Sequence, residues 1–115
     1  MHAPELFKAL SDPTRLRCLS LLVSEDELCV CELTYALALP QPRVSHHLAA
    51  LRRPALVTDR KVGLWIYYRL NPELPPWIVE VIRTIAQGIS AQEPYASDLL
   101  LLYEMPDRPG RACVA

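Results

Sequence analysis

The sequence predicts a mainly α-helical chain with one small β-hairpin, arranged as a winged helix-turn-helix. Three observations carry this. Apolar residues recur at helical spacing from Leu6 to Leu51, in segments separated by capping or proline signals. Two stretches rich in β-branched and aromatic residues, Leu56 to Arg60 and Leu64 to Leu70, flank Gly63. A further long apolar repeat begins at Trp77. Two helices joined by a tight turn and followed by a hairpin define the fold, in which the second helix enters the major groove.

The elements follow in order. Glu5 to Leu10 is a short helix with Leu6, Phe7 and Leu10 on one side. Ser11-Asp12-Pro13 starts the next, because Ser or Asp can cap and Pro suits a first turn. Leu16, Leu19, Leu22 and Val23 form its stripe, and Ser24 to Glu27 is a polar, acidic break. Val30, Leu33, Tyr35, Ala36 and Leu37 predict a third helix ending near Leu39-Pro40. The reading helix runs from about Pro42 to Arg53, with Val44, Leu48 and Leu51 buried and Pro54 as its stop. Gly63 forms the hairpin tip. Of the adjacent Tyr67 and Tyr68, one is expected to face the core. The last long helix places Trp77, Ile78, Val81, Ile82, Ile85 and Ile89 on one face. Leu99 to Leu102 is too short a run to diagnose, and Pro106 to Ala115 reads as a loose tail. Residues 1–92 are thus the expected DNA-binding and dimerisation domain, and residues 93–115 a C-terminal tail.

A chain of 115 residues, 51% hydrophobic, supports one domain whose exposed apolar surface favours a dimer. No run approaches the ~20 apolar residues of a membrane helix, and no signal peptide is apparent. The expected setting is cytoplasmic, with reduced thiols. The net charge of −1 hides an asymmetry. Between Gln41 and Arg69, six basic residues (Arg43, Arg52, Arg53, Arg60, Lys61 and Arg69) meet one acid, Asp59, a net of +5, which leaves −6 on the rest. A basic segment in an acidic chain suggests a local face for a polyanion, with a solvated charged face as the alternative that charge alone leaves open; with the helix-turn-helix, the expected partner is double-stranded DNA.

The reading helix opens Gln41-Pro42-Arg43-Val44-Ser45-His46-His47. Gln41 can pair with adenine and Arg43 with guanine, while Ser45, His46 and His47 suit phosphate contact or helix positioning. Each histidine is equally open to a packed or capping role. Arg60 and Lys61 flank the wing tip and suit phosphate.

Leu28-Cys29-Val30-Cys31-Glu32-Leu33 is the sharpest chemical signal. Thiolates favour As(III), Sb(III), Cd(II), Pb(II) or Zn(II). Cys29 and Cys31 lie where the helix before the reading helix begins, an end that lowers thiol pKa. On a regular helix, side chains at i and i+2 diverge by ~200°. One ion therefore reaches both only if that end unwinds or is already irregular, and binding then biases the scaffold of the reading helix. Cys18 reads as a buried core thiol. Cys113, in the tail, is either an inert thiol or a third ligand.

These residues resemble the ArsR–SmtB family. Leu6-Phe7-Lys8-Ala9-Leu10-Ser11-Asp12-Pro13-Thr14-Arg15-Leu16-Arg17 is similar to its opening, and Glu27 to Leu33 to its arsenite-sensing motif. Gln41 to Leu48 and Asp59 to Leu70 are similar to its reading helix and wing. The resemblance spans roughly residues 5–85. It implies a homodimer through the first and last helices, repressing a resistance operon and leaving operator DNA when As(III) or Sb(III) binds as inducer. Cd(II)- or Pb(II)-responsive and redox-responsive thiol repressors of the same fold are alternatives. The family pattern commonly continues to a third cysteine, where this chain has Thr34. No cysteine precedes Cys18, unlike the cadmium and lead sensors, and no His follows His47, which removes the zinc-sensing site of the final helix. Pro40 replaces the usual capping Ser, and Arg53-Pro54-Ala55 the usual acid-small-glycine turn. No nucleotide loop, paired-carboxylate motif or Ser-His-Asp signature supports an enzyme. A protein-binding winged helix would not need the basic bias.

Overall fold

Six helices and three strands make up residues 1–109, the part of the chain that the computed structural model describes. In order they are α1 (Ala3–Leu10), α2 (Pro13–Glu25), β1 (Glu27–Cys29), α3 (Val30–Leu37), α4 (Gln41–Arg52), β2 (Val57–Val62), β3 (Trp65–Leu70), α5 (Pro76–Ile89) and α6 (Tyr95–Glu104). The winged helix-turn-helix expected from the sequence is present. Cys113 lies outside the described residues.

Asp12 caps α2: its Oδ2 accepts from the Arg15 amide at 2.9 Å, and Pro13 fills the first turn. The Arg15 guanidinium in turn donates to the Ala9 and Lys8 carbonyls, closing the C-terminus of α1. One turn of chain links α3 to α4. Ala38 ends α3 in the left-handed region at φ 54°, and Pro40 precedes α4. Leu33, Leu37, Val44, Leu48 and Leu51 then pack with Leu6, Leu19, Leu22 and Ile78 in a single core. Each fully buried leucine contributes about 1.5–3 kcal/mol of transfer free energy.

The hairpin turns at Gly63-Leu64, with Val62 opposite Trp65 and Gly63 at φ 60°. That left-handed backbone costs glycine nothing. A third strand, β1, lies on the other side of β3, giving the antiparallel order β1-β3-β2. Only Glu27 of β1 belongs to the expected break, and Cys29 was expected at the start of α3; three residues are too few to show a period of two. With β3 central, Tyr67 and Tyr68 are both buried, and as expected one of them faces the core. Tyr68 joins the core, and the Arg60 guanidinium covers the Tyr67 ring at 5.4 Å.

The fold continues beyond residue 92. The undiagnosed run Leu99 to Leu102 lies in α6, where Leu102 is fully buried while Leu100 and Leu101 face outward. Four consecutive leucines cover the whole circumference of a helix, so their spacing carries no direction. The loose tail expected from Pro106 is also corrected at its start, since Arg108 and Pro109 are buried. Asp98 of α6 pairs with Arg17 of α2 through two hydrogen bonds of 2.8 and 2.7 Å. Arg17 also donates to the Leu37 carbonyl at 3.0 Å, at the end of α3. No helix among the described residues is long and apolar enough to cross a membrane.

Candidate thiol centre and nucleic-acid interface

Helix α4 presents Gln41, Arg43 and His46 to solvent, with Ser45 half-buried beside them. His47 turns the other way. Its side chain packs against α2, with Nδ1 3.5 Å from Asp12 Oδ2. Of the two roles open to each histidine, the packed one is the one this contact supports for His47, while His46 is exposed. Burial lowers the His47 pKa, opposed by the Asp12 carboxylate and reinforced by Arg15, His46 and Arg43. In the wing, Arg60 and Lys61 are exposed on β2. Arg60 forms a bidentate pair with Glu27 at 2.7 and 2.6 Å, which holds the Glu27 carboxyl below its usual pKa range. A phosphate contact by Arg60 must compete with that carboxylate.

Cys29 is the last residue of β1 and the N-cap of α3, with φ −81° and ψ 163°. That extended backbone swings its side chain out of helical register. Cys31, inside the first turn, then points at the same place. The Cα atoms are 5.5 Å apart and the two Sγ atoms are joined as a disulfide. The expectation of reduced, unpaired thiols differs here, because the junction of strand and helix brings the sulfurs within bonding reach. Of the two routes left open by helical geometry, an end that unwinds or one already irregular, the structure has the second. Cys29 is buried and Cys31 half-buried. Through β1 the pair is one strand from the wing, Cys29 lying opposite Tyr67.

Cys18 is a buried core thiol, as its repeat predicts, and burial raises its pKa to about 12. Two residues that the sequence reading passed over hold the thiol junction. The Cys29 amide donates to Glu32 Oε1 at 3.0 Å. Glu32 Oε2 accepts from Arg108 Nε, and Arg108 Nη2 donates to Glu25 Oε1 at 2.7 Å. The three-residue step from Cys29 to Glu32 is capping-box spacing with a thiol in place of the hydroxyl, a signal present in the sequence. Arg108 left no such trace. A cleft of about 460 Å³ opens beside Cys31, walled by Thr34, Gln41 and Met105 and by the wing residues Leu64, Trp65 and Ile66. Among the described residues, no group of three His, Cys, Asp or Glu is placed to hold a metal ion.

The family of bacterial regulatory proteins described as the arsR family matches residues 12–59, from the cap of α2 into β2. The arsenic resistance transcriptional regulator ArsR2 of Pseudomonas putida is 48% identical over 111 residues, covering 96% of this chain and 95% of that protein. Among solved structures, the transcriptional repressor BigR of Xylella fastidiosa superposes with a TM-score of 0.67 at 32% identity, over 78% of this chain and 85% of that one. The antimony-specific transcriptional repressor AntR superposes with a TM-score of 0.62 at 30% identity, over 76% and 77%.

Proposed function

The chain belongs to the arsR family of bacterial regulatory proteins, and on that premise we propose that it represses an arsenic or antimony resistance operon. As(III) or Sb(III) binds Cys29 and Cys31 as inducer and releases the protein from its operator. The observation that carries this reading is the convergence of the two Sγ atoms at the start of α3, the helix that leads through Ala38–Pro40 into α4. An ion seated there acts on the cap that fixes the entry of α3, and α3 sets the position of α4. Its preference for one arrangement of that junction is the differential affinity that allostery requires.

The operator contacts fall to Gln41 and Arg43 at base edges, and to Ser45, His46, Arg60 and Lys61 at the backbone. The working unit is a homodimer in the cytoplasm. Phe7 of α1 at 62% exposure and Trp77 of α5 at 48% supply apolar surface for it. Fluorescence anisotropy of the reduced protein on its promoter DNA, titrated with As(III), tests the reading. Release is expected, and in Cys29→Ser or Cys31→Ser it is lost while DNA affinity stays within about twofold. Unchanged release in both variants removes the thiol pair as the site.

The Cys29–Cys31 disulfide favours one second reading, a repressor that responds to thiol oxidation. Release by peroxide, reversed by a dithiol and insensitive to As(III), distinguishes it.

A further inference from the structure

We infer that Arg108 is a positioning residue for induction: from the segment after α6, it holds the backbone of Cys29 in the conformer that brings the two thiols together. The inference rests on the arsenic-responsive reading above and adds to it a residue that touches no ion. A turn at Pro106-Asp107, with Asp107 left-handed at φ 51°, leads out of α6 and leaves Arg108 buried. There its guanidinium forks between two helices. Nη2 donates at 2.7 Å to Glu25 Oε1, on the last residue of α2, and Nε donates to Glu32 Oε2, in the first turn of α3. The other Glu32 oxygen accepts the Cys29 amide at 3.0 Å. One tie thus runs from the end of α2 through Arg108 and Glu32 to the residue that carries the first thiol.

Energetics argue that this tie serves geometry. Charges taken out of water gain little net stability by pairing, and apolar side chains of the same size join two helices as well. What apolar contacts lack is direction. A forked guanidinium fixes the plane and the distance of each carboxylate. Glu32 therefore keeps one oxygen aimed at the Cys29 amide. That bond holds Cys29 at φ −81° and ψ 163°, the extended backbone that turns its Sγ toward Cys31.

Without Arg108, two carboxylates face each other across the junction, and repulsion drives Glu32 toward water. Cys29 then samples other conformers, and an ion must order them before it can take both sulfurs. That ordering subtracts from its affinity. The opposite end of α3 is braced in the same way, where Arg17 donates to the Leu37 carbonyl and pairs with Asp98 of α6. Both ends of α3 are thus held by α6 or the turn behind it, and Arg108 holds the end with the thiols.

The test uses the reduced whole chain and As(III) alone, with two readings. One is the half-release concentration from promoter DNA by anisotropy. The other is As(III) affinity without DNA, followed by the ultraviolet absorption of arsenic–thiolate bonds. Arg108→Lys keeps the charge but loses the fork, and should weaken both readings about threefold. Glu32→Gln/Arg108→Met removes both buried charges together, which a fold tolerates better than removing one. It should weaken both readings about tenfold, equal to about 1.4 kcal/mol. DNA affinity without the ion should stay within about twofold. Leu102→Ala, at a fully buried position of α6, lowers stability without touching the tie and should leave both readings unchanged. Unchanged As(III) affinity in the double variant, or an equal loss in Leu102→Ala, overturns the inference and leaves the arsenic-responsive reading standing. Failure of the unsubstituted chain to bind As(III) and leave DNA overturns both.

Discussion

Glu32 divides one carboxylate between two tasks, accepting the Cys29 amide with one oxygen and Arg108 with the other. It is 1% exposed, so Arg108 replaces the solvent that its carboxylate lacks. Removing one member of a buried pair leaves the other charge uncompensated. Arg108→Ala should therefore cost about 3–5 kcal/mol, read by urea unfolding, a large share of a small domain's stability. A loss below about 1 kcal/mol would show that Glu32 finds other solvation. His47 gives a second expectation at this scale. Its folded pKa lies below the unfolded value, so the unfolded chain binds the extra proton first as pH falls. Stability is complete above about pH 6.5 and declines below it until the folded histidine also protonates. His47→Gln should flatten the difference in unfolding free energy between about pH 7.5 and pH 5, and an unchanged slope would assign it elsewhere. Asp12 acts in a lower window. Its pKa is lowered despite burial, through the Arg15 amide, His47 and the Arg15 charge, so its contribution is lost only below about pH 4.

The elements were legible where their apolar residues had a direction. Leu16, Leu19 and Leu22, or Val44, Leu48 and Leu51, each fall on one helical stripe, and α2 and α4 appear within a residue or two of the expected bounds. The thiol pair was legible as chemistry, from residue type and spacing alone. The sequence did not show how the pair closes, because that depends on β1, whose three residues acquire their strand from β3. Nor did it show α6, whose leucines point both ways, or Arg108, whose partners lie 76 and 83 residues away. The turn after α4 is legible in another sense. Ala55 stands where the family has glycine, and it adopts φ 62°. A side chain in that region carries strain. Ala55→Gly should raise stability by about 1 kcal/mol in thermal or urea unfolding. A loss would place the cost in chain entropy instead.

At the scale of the whole molecule, charge is distributed by task. The segment from α4 through the wing is basic within a chain of net charge −1. That arrangement orients the protein on a polyanion without making all of it adhesive. Arg60→Ala should weaken DNA binding on every sequence alike and lower the salt slope by about one. Loss confined to one operator sequence would instead make Arg60 a base-reading residue. Its pair with Glu27 also links the wing to β1, two residues before Cys29.

The clasp of Arg17 on Asp98 and on the Leu37 carbonyl has a consequence for how each copy comes into being. The two charged partners are 81 residues apart, and α4 is already complete at Arg52. Synthesis proceeds from the N-terminus at about 5–20 residues per second, so Asp98 follows Arg52 by roughly 2–9 seconds. During that interval the residues of α4 have been made, but the turn that leads into them lacks its brace. The brace on the turn before α4 is therefore among the last contacts that the described residues can make during synthesis.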